Sequence, residues 1–245
     1  MNQVLDGRRL ISVSGKDGED GTEYRFELDD HSLIFSRGQA GKGPARFEVW
    51  HGDGSVSDYG ATADSRIEAR VPGDTTTVMA WAINRRQDAA GNYILYEYNE
   101  SPAGAVEATL EAVRYTGNTR AGTQPYAEFR FHYEENRGDI PDTLFLGGVA
   151  SHKTLLTRID SVARSRADDP TMEFLRSYFL SYGQDGFGRK ILVSVEECND
   201  DSKSFCFGPT GFSWFKAENQ IDLDGISVGD VFSKNLTGIN FADVD

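Results

Sequence analysis

Long apolar runs are missing from this sequence. No stretch approaches the roughly 20 residues a membrane helix needs, so nothing reads as a membrane-spanning helix. Cysteine is nearly absent: Cys198 and Cys206 are the only two, too few for a scaffold built on disulfides. Basic charge is scarce as well. Lysine and arginine total 25 against 39 acidic residues, a formal net charge of −14. A chain this acidic is repelled by nucleic acid and by anionic lipid, and the doublets Arg8-Arg9 and Arg85-Arg86 do not form a basic patch. The stretch from Met1 to Gly7 lacks a basic region followed by an apolar one, so no signal peptide is legible. A sustained 3.6-residue period is also lacking, which argues against long amphipathic helices.

What the chain has is aromatics, glycine and a period of two. It carries 15 Phe, 10 Tyr and 26 Gly in 245 residues, a composition suited to strands and tight turns. Tyr24, Phe26 and Leu28 alternate with Arg25 and Glu27. Phe47 and Val49 alternate with Arg46 and Glu48, and Ile94, Tyr96 and Tyr98 with Tyr93, Leu95 and Glu97. Phe129, Phe131 and Tyr133 alternate with Arg130 and His132. The runs Tyr178–Tyr182 and Ile191–Val195, and the pair Phe212 and Trp214, follow the same rule. Such alternation describes strands with one face on a core.

Turn chemistry separates the runs. Gly52-Asp53-Gly54 divides the Phe47 strand from Val56–Tyr59, Ala90-Gly91-Asn92 precedes the Tyr93 strand, and Thr116-Gly117-Asn118 closes the Leu110–Tyr115 run. The expected fold is therefore all-β: an antiparallel meander of consecutive hairpins. Gly138–Leu156 reads as a long connection and Ala167–Met172 as a shorter loop. Asn219–Asp245 changes character, with glycines spaced among Asp and Asn.

Constellations that carry chemistry do not assemble in the sequence. His31, His51, His132 and His152 are scattered, with no metal-ligand spacing; surface or packing roles are expected of them. Glu134-Glu135 and Glu196-Glu197 are adjacent in their runs, so each pair divides between opposite strand faces. Ser12-Val13-Ser14-Gly15 lacks the first glycine and following helix of a nucleophile elbow. Gly15–Gly21 and Gly38–Gly43 contain no Gly-Lys-Ser/Thr and read as hairpin loops. Trp50, Trp81 and Trp214 sit within alternating runs, where core packing is the default expectation; a sugar-binding platform is the alternative. Cys198 and Cys206 lie eight positions apart. They either close a hairpin loop as a disulfide or stay thiols, and geometry decides which.

Several strand-and-turn units resemble one family. Gly43-Pro44, Phe47, Val49, Asp53-Gly54 and Tyr59-Gly60 follow its first pattern; Trp81, Ile83, Asp88, Gly91-Asn92, Ile94, Tyr96 and Tyr98 follow its second. Tyr115-Thr116-Gly117-Asn118 is similar to its YTGN stretch, and Phe131, Tyr133-Glu134, Arg137 and Asp139 to the one after it. Tyr178, Leu180 and Tyr182, then Glu197-Cys198, Cys206, Pro209-Thr210, Phe212 and Trp214, complete the series, with Phe207-Gly208 where a Pro-Pro pair is more usual. In this order the motifs resemble the N-terminal region of SpvB-type virulence-plasmid B proteins. That region is shared with the B component of Tc insecticidal toxins and with Rhs/YD-repeat proteins. The likeness runs over roughly residues 5–216.

The resemblance implies a curved sheet forming part of a larger β shell, with residues 1–216 as the β domain. It implies that 217–245 are a linker and the start of an FG-GAP/VCBS propeller repeat, since Leu236–Asp245 resembles the entry to one. Asp243 and Asp245 alone cannot supply the six to eight oxygens that calcium prefers, so no cofactor or metal is expected. The family reading makes the chain a fragment cut at both ends, or a truncated gene product. It implies a non-catalytic segment of a secreted toxin. Its partners would be the rest of its own chain (propeller, Rhs shell and effector) and Tc A and C components, with a cytoplasmic stage before export. A β-sandwich adhesin or carbohydrate-binding module is the alternative from another class.

Overall fold

The computed structural model describes residues 4–5, 7–68, 77–99, 109–135, 137–145, 148–150, 152–165 and 170–214. The segment 217–245, expected to begin a propeller, lies outside them. Every regular element among the described residues is a strand. The first six are β1 (Val4–Leu5), β2 (Arg8–Ser14), β3 (Glu23–Phe26), β4 (Leu33–Ala40), β5 (Gly43–Trp50) and β6 (Val56–Tyr59). A small hairpin follows, β7 (Arg66–Glu68) with β8 (Val78–Trp81). The sheet resumes with β9 (Ile83–Gln87), β10 (Asn92–Asn99), β11 (Thr109–Asn118) and β12 (Ala127–Glu134). A second small hairpin, β13 (Thr143–Phe145) with β14 (Gly148–Ala150), precedes β15 (Leu155–Arg164), β16 (Met172–Gln184), β17 (Lys190–Cys198) and β18 (Thr210–Gly211).

Fourteen strands form one open sheet in strict chain order, interrupted only by the two inserted hairpins, with β1 and β18 as its terminal strands. Neighbouring strands pair antiparallel, as short hairpin connections require. Register shifts interrupt the ladder at β2–β3, β6–β9, β10–β11, β12–β15, β15–β16 and β16–β17. Bulges of this kind bend a strand and increase its twist, so a sheet carrying many of them curves.

Two expectations about connections need correcting. Thr116-Gly117-Asn118 is not a turn but the end of β11, and the chain reverses one step later. The reason is packing: a Cβ on Gly117 would lie 2.4 Å from Cζ of Tyr93, its cross-strand partner. The glycine clears the ring, and Thr116 takes φ 77° as the bulged residue. Gly138–Leu156 is likewise not a bare connection, since it holds β13–β14 and the start of β15. Phe212 and Trp214 fall just beyond β18, which spans only Thr210–Gly211.

The tight hairpins share one device. Asp88 Oδ1 accepts the N–H of Ala90 and of Asn92, each at 2.9 Å. Asp185 Oδ1 does the same for Phe187 (2.9 Å) and Arg189 (2.8 Å). Asp200 Oδ1 does it for Ser202 (3.0 Å) and Ser204 (3.2 Å). In each, the residue three after the aspartate has positive φ: Gly91, Gly188 and Lys203. Glycine reaches that region freely, whereas Lys203 is held there by the loop.

The best-buried part lies over β1–β6. Leu10, Tyr24, Phe26, Ile34, Phe47, Val49 and Tyr59 form its core, and Ile34 and Val49 are completely inaccessible. Each such burial is worth roughly 1.5–3 kcal/mol. The β7–β8 hairpin contributes a plug. Trp81 meets the Phe47 ring edge-to-face at 4.9 Å, and its indole N–H donates to the Pro44 carbonyl at 3.2 Å.

Candidate functional site

Residues directly opposite each other on neighbouring strands share a face. The pairs Phe35–Glu48, Glu48–Asp58, Asp58–Arg85, Arg85–Leu95, Leu95–Arg114 and Arg114–Glu128 therefore trace one face from β4 to β12. Arg130–Asp160, Asp160–Ser177 and Ser177–Cys198 carry the same face on to β17.

This face is laced with ion pairs running across the strands. Arg37 Nε meets Glu48 at 3.0 Å and Arg46 Nη1 meets Asp58 at 3.1 Å. Arg114 bridges Glu97 at 3.1 Å and Glu128 at 2.9 Å, and Arg130 also pairs with Glu128. Exposed pairs contribute only about 0–1 kcal/mol each. Glu128 and Asp160 differ, being 3% and 1% accessible; a buried carboxylate is tolerable only when its partners are in place. Around Glu97, Arg114, Glu128, Arg130, His132 and Glu135 the face sinks into a polar concavity of about 600 Å³.

Asp160 is the hub of the far half. His132 Nε2 lies 2.7 Å from its Oδ2, Ser177 Oγ donates to Oδ1 at 2.8 Å, and Arg158 Nε lies 3.1 Å from Oδ1. The order is serine–carboxylate–histidine, with the carboxylate in the middle. A nucleophilic triad needs the imidazole between hydroxyl and carboxylate, so that it can take the hydroxyl proton. Here the serine proton is directed at Asp160 instead. His132, expected in a surface or packing role, helps to satisfy a buried charge. Its match with Asp160 was not visible because the two are 28 positions apart. Of the other histidines, His31 and His152 are exposed, and His51 Nε2 lies 3.0 Å from Ser57 Oγ.

The Glu196-Glu197 pair divides between faces as strand geometry requires: Glu196 meets Lys203 at 2.9 Å and Glu197 meets Arg176 at 2.6 Å. Arg137 and Asp139 form a staple. The guanidinium contacts Asp139 at 2.8 and 3.2 Å, and the Lys190 N–H donates to Asp139 at 2.6 Å, joining the 137–142 segment to β17. These contacts hold the Asp139 carboxyl down at about 2.

The opposite face is largely apolar, the Arg176–Glu197 pair aside. Tyr96–Val113–Phe129 and Phe131–Ile159–Tyr178 run across it as partner chains, and Tyr115 stacks on Phe129 at 5.5 Å. Over β10–β17 these side chains are half-buried, in contrast to the closed core over β1–β6.

The tryptophan expectation holds for Trp81 alone. Trp50 is 47% and Trp214 57% exposed. Trp50 ends β5 and Trp214 lies beyond β18, and no opposing layer among the described residues covers either. Trp214 closes with Phe205, Phe207 and Phe212 an aromatic-rich, exposed edge beside β17. Cys198 and Cys206 face each other across the same edge as a lone antiparallel pair, with sulfurs 2.04 Å apart.

Comparison with known proteins gives a partial family match. Residues 23–139 match the family model described as SpvB, Salmonella virulence plasmid 65kDa B protein. The matched stretch, just under half of the chain, is similar to that family. It spans β3 through β12 and includes the Arg137–Asp139 staple. No curated protein matches the chain. Among solved structures, the chain resembles the N-terminal domain of effector protein SpvB from Salmonella typhimurium strain LT2. The identity is 14%, covering 80% of each chain, with a TM-score of 0.59. It also resembles TcdB2-TccC3, at 14% identity and a TM-score of 0.62, and the Photorhabdus luminescens Tc holotoxin pore, at 15% and 0.63. These cover 85% of this chain but only 13% and 12% of theirs. The chain thus spans about an eighth of the length of those polypeptides.

Proposed function

We propose that this SpvB-type chain is a non-catalytic structural segment of a secreted bacterial toxin, one strip of a β shell that encloses or delivers an effector carried elsewhere. The observation that carries this reading is the open fourteen-stranded meander, whose β10–β17 half has an apolar face of half-buried side chains among the described residues. A sheet with two edges and a half-covered face is suited to being a wall continued by other chain segments, because isolated edges invite uncontrolled pairing. Its partners are then the remainder of the toxin chain and Tc A and C components. Its place of action is outside the producing cell, after a cytoplasmic stage. The likeness in fold to TcdB2-TccC3 and to the Tc holotoxin pore supports the same reading.

Electron cryo-microscopy of the full polypeptide encoded across this stretch tests it. The expected result is the sheet built into the wall of a hollow particle; a sheet standing free of any shell overturns the proposal. Purified chain incubated with NAD should release no nicotinamide above a buffer blank, and steady turnover would sink the non-catalytic reading.

The exposed Trp50 and Trp214 favour one second reading, a carbohydrate-binding module. Glycan-array binding lost in Trp50→Ala or Trp214→Ala would replace the shell proposal with it.

A further inference from the structure

Cys198 and Cys206 are not isolated sulfurs. Glu196 stands two residues before Cys198 on β17, so both side chains project from the same face. Cys206 is the direct cross-strand partner of Cys198, flanked by the Asn199 N–H to Phe205 carbonyl bond (3.0 Å) and the Phe207 N–H to Glu197 carbonyl bond (2.9 Å). The two sulfurs and a Glu196 carboxylate oxygen lie within 4.8 Å of one another. Cys198 is buried, while Cys206 and Glu196 are half-buried. The Lys203 ammonium, 2.9 Å from Glu196, lies beside the group and supplies positive charge, which favours thiolate over thiol.

We propose that the reduced chain holds a thiophilic divalent cation, zinc above all, on Cys198, Cys206 and Glu196, and that oxidation to the disulfide releases it. The inference rests on the cross-strand pairing of the cysteines and goes beyond the shell reading. Two thiolates and one carboxylate leave the fourth tetrahedral position to water, the arrangement of an exchangeable site. Zinc–sulfur bonds of about 2.3 Å need sulfurs roughly 3.7 Å apart. Breaking the S–S bond lets the two side chains turn apart toward that separation. Glu196 exchanges Lys203 for the cation.

The release step balances with a small-molecule disulfide as oxidant. One thiolate attacks it and expels a small thiolate; the second thiolate then attacks the mixed disulfide. The Cys198–Cys206 bond forms, two electrons pass to the oxidant, two protons convert its halves to thiols, and the cation leaves to water. Before export, in a reducing compartment, the cation would occupy the cysteines. Outside, the disulfide would replace it.

The test uses the full chain reduced with a phosphine, freed of reductant under anaerobic conditions and titrated with Co²⁺. The expected result is a saturable sulfur-to-cobalt charge-transfer band at one Co²⁺ per chain, displaced by Zn²⁺. Glu196→Gln, which preserves shape, should weaken Co²⁺ binding at least tenfold. Cys206→Ser should abolish the two-thiolate band. Adding oxidised glutathione to the loaded chain should release the metal as the chain mass falls by two hydrogens relative to the reduced form. A reduced chain with no saturable band overturns the proposal, as does unaltered affinity in Glu196→Gln. Failure of the disulfide alone shows separately, as an unchanged mass after oxidation, and would overturn the release step. None of these outcomes touches the shell reading, which the particle's architecture decides.

Discussion

Asp160 and His132 meet across β12 and β15, Oδ2 to Nε2 at 2.7 Å, on the charged face of the sheet. Asp160 also takes Arg158 and Ser177, so three partners surround one almost inaccessible carboxylate. Asp160→Ala strands Arg158 and His132 and should cost about 3 kcal/mol. His132→Ala should cost about 1 kcal/mol, since that side chain is 39% exposed and leaves Arg158 in place. Urea unfolding of both variants checks the ordering. Equal losses would show that Asp160 is not the hub.

Gly117 and Tyr93 make a second test. A methyl group at 117 drives into the Tyr93 ring, so Gly117→Ala should lose about 2 kcal/mol to overpacking. Combining it with Tyr93→Ala should cost less than the two single losses summed, because the clash disappears with the ring. Additive losses in thermal unfolding would mean that the two positions act independently.

Three tyrosines tie strand ends together in the same way. Tyr98 donates to the Ile83 carbonyl at 2.8 Å, Tyr133 to Leu110 at 2.9 Å and Tyr182 to Leu156 at 2.7 Å. Each phenol reaches the start of the preceding strand in the sheet. Phenylalanine at any of them should cost about 1 kcal/mol. Burial also pushes the Tyr98 hydroxyl up to about 12 from 10.0. A raised phenol contributes stability that is whole below pH 10 and drains away between 10 and 12, as the unfolded chain ionises first. Tyr98→Phe should flatten part of that alkaline loss, measured by denaturation across pH 9–12.

Acid stability has the opposite sign. Arg137 holds Asp139 at about 2, and the Ser204 and Ser202 hydroxyls hold Asp200 at about 2, against 3.8 for a free carboxyl. Lowered carboxyls contribute stability that is complete above pH 4 and lost as the pH falls from 4 to 2. Asp139→Asn should therefore reduce the steepness of acid unfolding while lowering the plateau above pH 5. An acid limb identical to that of the unaltered chain would show that the staple plays no part.

Much of this was legible in the residues. Alternation placed most of the long strands, because a strand's side chains obey a period of two whatever lies opposite. Gly91 marked a hairpin through local turn chemistry, and the Asp88 and Asp185 turns repeat one short pattern. Gly117 misled, since the reason for that glycine is a ring on the neighbouring strand. The small β13–β14 hairpin was hidden for a related reason: its strands are three residues each, too short for a period to register.

The sequence by itself determined an all-strand meander and carried the resemblance to SpvB-type proteins, since these depend on local periodicity and ordered motifs. Only the tertiary structure decided which residues meet across strands. It brought His132 to Asp160 from 28 positions away and left Trp50 and Trp214 exposed while Trp81 was covered. It also set Glu196 beside the cysteine pair. Cross-strand register and the cover over each face arise from pairing between distant segments, which alternation along one strand does not encode.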